Sequence, residues 1–296
     1  GTPVRQRAAT DDFPSVNITT SLPAVFGGLQ EGDIEIGLPA AFGAFEPEMT
    51  DDGRYYTLDS VVHAVVGEPF QPTFFVPLSS DAGPLRGAVL TFAEYQDQAS
   101  FDPVIAAPIN EFVTETTEPD FDWDGWYPPI PMAVRYGDLM TRTTSTLVTL
   151  MGQYDPRSGT ERLFDRLNLD LYYSIDSDQA PAEISAIGGV LDPETGLASF
   201  KMEATDASGI HRVVIAYTQG DGYWQSLDLG WDAALSKWTG VVALTPTVTG
   251  TLFYAQVVDK AGNVAVEANK GAYFPLGLGR IKPKPTRIYL PLALRD

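Results

Sequence analysis

Cysteine is absent from the 296 residues, and histidine occurs only twice. Without Cys there is no thiol nucleophile, no disulfide scaffold and no Cys-based zinc site. His63 and His211 lie far apart in sequence and are a thin basis for a zinc or non-haem iron centre. Basic residues are scarce too: 19 Lys and Arg against 39 Asp and Glu leave a formal net charge of −20. Phosphate contacts need clustered Lys and Arg, so the composition argues against nucleic acid as a partner. Long apolar runs are missing, and the stretch 288–294 is far too short for a membrane span. No Gly-x-Ser-x-Gly elbow presents a serine, and no Gly-rich phosphate loop follows a strand and opens a helix. Catalytic and cofactor-binding residues are accordingly expected to be none.

What is present points to a folded, outward-facing protein. Apolar residues make up 44% of the chain and aromatic residues 11%, which argues against disorder. Thr, Tyr and Trp are plentiful, Lys is rare, and the surface is strongly negative, as expected for an extracellular or cell-surface protein. The chain starts at Gly1 without a charged-then-apolar leader, so it reads as a mature or processed product. Charge divides it into three compositions. Residues 1–177 hold 27 acids and 9 bases, all nine of them Arg. Residues 178–275 hold 11 acids and 5 bases, whereas residues 276–296 hold one acid and 5 bases.

No long amphipathic helix is visible. Short alternating stretches separated by Gly, Pro, Asp and Asn predict an all-β chain. Residues 1–50 read as an extended N-terminal segment with one or two strands, part of or preceding a β-rich domain over 51–177. In 85–95, Ala88, Leu90 and Phe92 share a predicted face. Residues 145–153 read as one apolar strand, and 160–166 as one helical turn with Leu163 and Phe164 inward. Leu167, Leu169, Leu171 and Tyr173 alternate with Asn168, Asp170 and Tyr172, a half-buried strand. A boundary is expected in the polar stretch 176–181. Beyond it, Ala198, Phe200, Met202 and Ala204 face one way. Val213, Ile215 and Tyr217 follow, then 224–229, 237–244, 252–258 and 264–266. About seven strands in roughly a hundred residues predict an immunoglobulin-like β-sandwich over 178–275. Residues 276–296 form a basic, Pro-rich linker and a C-terminal strand.

Ala204-Thr205-Asp206-Ala207-Ser208-Gly209-Ile210, Arg212-Val213-Val214 and Val257-Val258-Asp259-Lys260-Ala261-Gly262-Asn263-Val264-Ala265 resemble bacterial immunoglobulin-like modules of secreted, multidomain proteins. Asn269-Lys270-Gly271-Ala272-Tyr273-Phe274 fits the same pattern. This resemblance spans about 180–275 and implies fold and extracellular location, not activity. Gly152-Gln153-Tyr154-Asp155-Pro156 and Leu171-Tyr172-Tyr173-Ser174 look like the β-rich region before such modules in large secreted proteins, including gingipain-like peptidases. Ile288-Tyr289-Leu290-Pro291-Leu292 looks like the terminal tail of cell-surface proteins from filamentous bacteria.

Four groups of residues merit attention as sites. Asp120, Asp122 and Asp124 stand at alternate positions before Gly125, a spacing able to wrap Ca²⁺, with Glu115 or Glu118 as further ligands. An EF-hand is excluded, because Pro131 occupies the closing position and Pro119, Pro128 and Pro129 forbid flanking helices. The alternative is a solvated acidic loop anchored by Trp123 and Trp126. Asp206 and Asp259 precede loops at one end of the expected sandwich, where they approach each other or each close their own turn. Trp123, Trp126 and Tyr127 form either a carbohydrate platform or ordinary core. His63 and His211 read as structural or surface residues. In the tail, Ile288, Tyr289, Leu290 and Leu292 form an edge-type strand, since Pro291 bars a central one. That strand either adds to a neighbouring subunit's sheet or folds back on its own chain.

The sequence thus predicts a non-catalytic, self-assembling cell-surface protein of two β-sandwich-like domains, with Ca²⁺ as the one cofactor considered. Its expected partners are copies of itself or another cell-surface protein. Alternatives are the non-catalytic C-terminal region of a gingipain-like peptidase and a carbohydrate-binding module.

Overall fold

A computed structural model describes residues 17–21, 25–26, 28–38, 45–59, 61–78, 80–81, 83–107, 121–137, 145–245 and 250–277. Their strands all pair antiparallel, and the described residues include one 3-10 turn, at Asn269–Gly271. The expected all-β, sandwich-type architecture is what the chain adopts.

The largest sheet crosses the whole molecule. Its central path runs through Asn17–Ser21, Leu29–Gly37, Thr160–Ser174, Leu85–Ala99, Tyr223–Asp228, Ile210–Thr218, Leu252–Asp259 and Val264–Glu267. A second sheet joins Val62–His63, Gln71–Leu78, Ser145–Leu150 and Met132–Tyr136. A third joins Glu183–Asp192, Leu197–Thr205, Lys237–Ala243 and Gly230–Asp232. Phe45–Thr50 and Gly53–Leu58 form a separate hairpin.

Period-two alternation explains where the cores lie. Leu167, Leu169, Leu171 and Tyr173 point from the long strand into one core with Ile34, Ile36, Leu90, Val76 and Leu147. Ala198, Phe200 and Met202 meet Val213, Ile215 and Val257 in a second core, between the third sheet and the far part of the first. A smaller cluster, Leu29, Val89, Tyr172, Val214 and Val258, joins residues from both sides of position 177.

Three expectations need correction. Residues 160–166 form no helical turn; they open the strand Thr160–Ser174. The register slips between Phe164 and Arg166, so Asp165 is an extra residue. This bulge sets Phe164 and Leu167 three apart on one face, a spacing that imitates a helix. A second slip, at Thr91, turns Phe92 away from Leu90: Leu90 stands opposite Leu169, Phe92 opposite Asn168. Phe92 meets Tyr223 on the other face, 5.9 Å between rings. Residues 145–153 are two strands, because the chain changes sheets at Met151. Ser145–Leu150 pairs with Gln71–Leu78, and Gly152–Asp155 pairs with Thr160–Leu163.

Strand Leu29–Gly37 is interior, although the sequence around it is polar and Gly-rich. Only Ile34 and Ile36 betray its buried face. Strand Glu183–Asp192 escaped sequence reading because Gly188, Gly189 and a slip near Ser185 interrupt its alternation.

Candidate functional site

Among the described residues, three carboxylates converge at one end of the sandwich. The turn after Leu197–Thr205 carries Asp206, the end of Leu252–Asp259 carries Asp259, and the segment entering Glu183–Asp192 carries Asp178. One carboxylate oxygen from each lies within 4.8 Å of the others. The pairing of Asp206 with Asp259 was legible from the loop positions of a sandwich. Asp178 was not, because nothing in sequence tells that the polar stretch 176–181 returns to that end.

Each aspartate also closes its own turn. Asp206 Oδ1 accepts from Ser208 N and Ser208 Oγ, both at 2.7 Å. Asp259 accepts from Asn263 N at 2.9 Å and Asn263 Nδ2 at 2.8 Å. Asp178 Oδ1 accepts from Ala180 N at 3.0 Å. Asn263 Nδ2 reaches the Asp178 carbonyl at 3.2 Å, and Lys260 N reaches the Gly209 carbonyl at 2.9 Å, so the loops are stitched together. Burial raises the Asp259 carboxyl above its ordinary value, the Asn263 bonds oppose this, and the Asp206 charge adds to it. Three carboxylates and the carbonyls of 178 and 180 are oxygen donors of the kind hard cations take. A melting temperature that drops with chelator would report an ion here; an unchanged one reports turn closure alone.

The acidic run identified in sequence is arranged differently. Asp120, Glu115 and Glu118 lie outside the described residues. Asp122 and Asp124 are exposed, and Asp124 stands 3.8 Å from the Arg157 guanidinium.

The aromatic residues beside it are packed, which corrects the platform expectation. Trp126 and Tyr127 are buried, and Trp123 is half-buried. Trp123 and Tyr127 meet at 79°, so they offer no flat face to a sugar ring. Trp126 instead covers the Arg162 guanidinium, 3.9 Å from its ring centre, with Tyr95 on the same guanidinium at 3.7 Å. Asp97 takes the two Arg162 donors at 2.7 and 2.8 Å. Tyr127 donates to Glu68. This cation–π stack had no local signal, since its parts come from three separate segments.

Gly125 and Gly271 explain how that loop seats. Trp126 N donates to the Gly271 carbonyl at 3.0 Å. Gly271 has a φ of +87°, and a Cβ there would fall 2.0 Å from the Trp126 carbonyl oxygen. Only glycine permits this backbone approach.

The histidines sit apart. His63 is buried in the second sheet, and burial lowers its pKa. His211 contacts Glu31 and lies edge-on to Tyr172, joining Ile210–Thr218 to Leu29–Gly37. The tail residues Ile288, Tyr289, Leu290 and Leu292 lie outside the described residues.

The described chain is therefore an all-β, sandwich-type protein with an acidic loop cluster and a largely packed interior. No protein-family model matches the sequence, and no curated protein matches it. Two solved structures from Porphyromonas gingivalis are similar in part. One is a chain from the complex of RgpB pro- and mature domains, at 13% identity over 55% of this chain and 87% of that chain, with a TM-score of 0.37. The other, on the zymogenic latency of gingipain K, shows 12% identity over 55% and 95% of the two chains, with a TM-score of 0.35. Function is argued below from this chain's own residues.

Proposed function

We propose that this chain is a non-catalytic, extracellular structural subunit that associates through sheet edges and terminal strands. The third sheet carries the reading. Val190, Leu197, Trp231, Leu235 and Val241 lie on it or in its turns, and they are five of the ten large hydrophobic residues exposed in the described chain. Among the described residues, both outer strands of that sheet, Glu183–Asp192 and Gly230–Asp232, pair with a strand on one side only. An open edge beside exposed apolar side chains is a surface that proteins bury against a partner.

The test is sedimentation of the full chain across a range of concentrations. Association that grows with concentration is expected; a chain that stays monomeric at high concentration would remove the reading. The alternative, a non-catalytic region of a secreted gingipain-like peptidase, draws on the sequence resemblance at 152–156 and 171–174. It requires a catalytic Cys and His encoded upstream, which the gene sequence reveals directly.

A further inference from the structure

The third sheet turns Ala198, Phe200 and Met202 into the second core and its other face away from it. Residues two apart on a strand share a face, so register fixes what the outer face holds. Val190 stands opposite Ser199, and Ser199 opposite Val241, a row across three strands. The next row on one side is Asp192, Leu197 and Ala243, and on the other Gly188, Lys201 and Thr239. Val190 is 54% exposed, Val241 56% and Leu197 41%.

The two flanking rows are complementary in shape. Leu197 projects from one of them. In the other, Gly188 leaves a hollow: a Cβ there would meet nothing within 4 Å. A groove of about 500 Å³ opens at that point, lined on this face by Gly188, Val190, Ser199, Lys201 and Glu203.

They are complementary in charge as well. Two chains of net charge −20 repel, so they can touch only where that excess is missing. The three rows hold one cation, Lys201, and one anion, Asp192. Both are exposed. No carboxylate pairs with Lys201 among the described residues, whereas the neighbouring Lys237 takes Glu203 at 2.7 Å.

We infer that this outer face docks on the same face of a second copy of the chain, as a two-fold pair centred on Ser199. The inference rests on the self-association reading and names its surface and symmetry. An axis across the strands at Ser199 sets the Gly188–Lys201–Thr239 row of one copy over the Asp192–Leu197–Ala243 row of the other. Leu197 then enters the hollow at Gly188 of the second copy, and Lys201 meets Asp192 of the second copy. Each contact occurs twice, with Val190 and Val241 enclosed between them. Facing sheets pack about 10 Å apart, within reach of a lysine paired with an aspartate. Three rows make a small interface, so the pair is weak and reversible rather than permanent.

Because the chain has no cysteine, one introduced thiol reports one contact. Ser199 lies on the axis and meets its own counterpart. A Ser199→Cys chain is therefore expected to form a reducible dimer under mild oxidation, faster at higher concentration. Thr205→Cys, exposed on the same strand but six residues from the axis, is expected to lag far behind. Lys201→Glu sets like charges together twice and is expected to weaken association about tenfold or more in sedimentation. Val241→Asp is expected to abolish it, and both variants keep the circular dichroism of the parent. A chain that associates but oxidises no faster at position 199 than at 205, or that ignores both charge substitutions, would overturn the inference while sparing self-association through another surface. Monomers at every concentration would remove both.

Discussion

Glu161 shows how one residue couples this fold to pH. Its carboxyl is buried in the strand Thr160–Ser174, and its Oε2 has no hydrogen-bond partner among the described residues. Burial pushes its pKa well above the ordinary 4.5, and the Gln71 contact and Arg54 charge only partly oppose this. The folded chain thus keeps a proton that the unfolded chain releases. Stability from this group is full below the ordinary value and falls as pH rises through the folded value. Burial raises Glu68 and Glu267 in the same direction. Melting temperature is therefore expected to be higher in mild acid than at neutral pH. Glu161→Gln removes the ionisation and is expected to flatten that slope, read by thermal melts across the same pH range. An unchanged slope would show that Glu161 does not carry it. None of this is visible in sequence, where Glu161 follows Thr160 as an ordinary charged residue near a turn.

The strands depend on side chains that imitate their backbone. Gln256 Nε2 donates to the Leu90 carbonyl at 2.9 Å, and Leu90 N donates to Gln256 Oε1 at 2.8 Å. The amide thus completes a ladder position between strands 166 residues apart in the chain. Gln256→Leu leaves a buried N–H and C=O without partners and is expected to cost about 2–4 kcal/mol, measured by denaturant unfolding. A loss near zero would mean that the two strands close up without it. Elements of this kind were legible where alternation was clean, as in Leu167 to Tyr173 or Ala198 to Ala204. They were not legible at Asp165 and Thr91, where a bulge shifts the period by one residue and reverses the face that a simple alternation assigns.

Across the molecule, the divide near 176–181 is bridged many times over. Tyr223, Trp224 and Gln225 pair with Glu94, Ala93 and Phe92 in one sheet. Trp224, Tyr254 and Tyr273 sit in the same core as Leu90 and Leu167. Arg212 reaches Asp170, and its bond to the Tyr172 hydroxyl is 2.9 Å. Splitting the chain there would expose Val89 and Tyr172 on one piece and Val214 and Val258 on the other. The full chain is therefore expected to unfold in a single calorimetric transition, and residues 178–277 alone to be far less stable. Two separated transitions, with a fragment as stable as the parent, would show that the bridges add little.

Residue order alone settles that the chain is all-β and which side chains of its regular strands are buried, since a period of two is a local property. It also settles the acid-rich body, the basic tail and the absence of thiol chemistry, which are matters of count. Folding decides the rest: that Asp178 joins Asp206 and Asp259, that Arg162 lies between Tyr95 and Trp126, and that, among the described residues, Glu183–Asp192 pairs with one strand and meets Gly277 on its other side. Those outcomes rest on contacts between residues tens of positions apart, set by loop paths and register slips that no local pattern encodes.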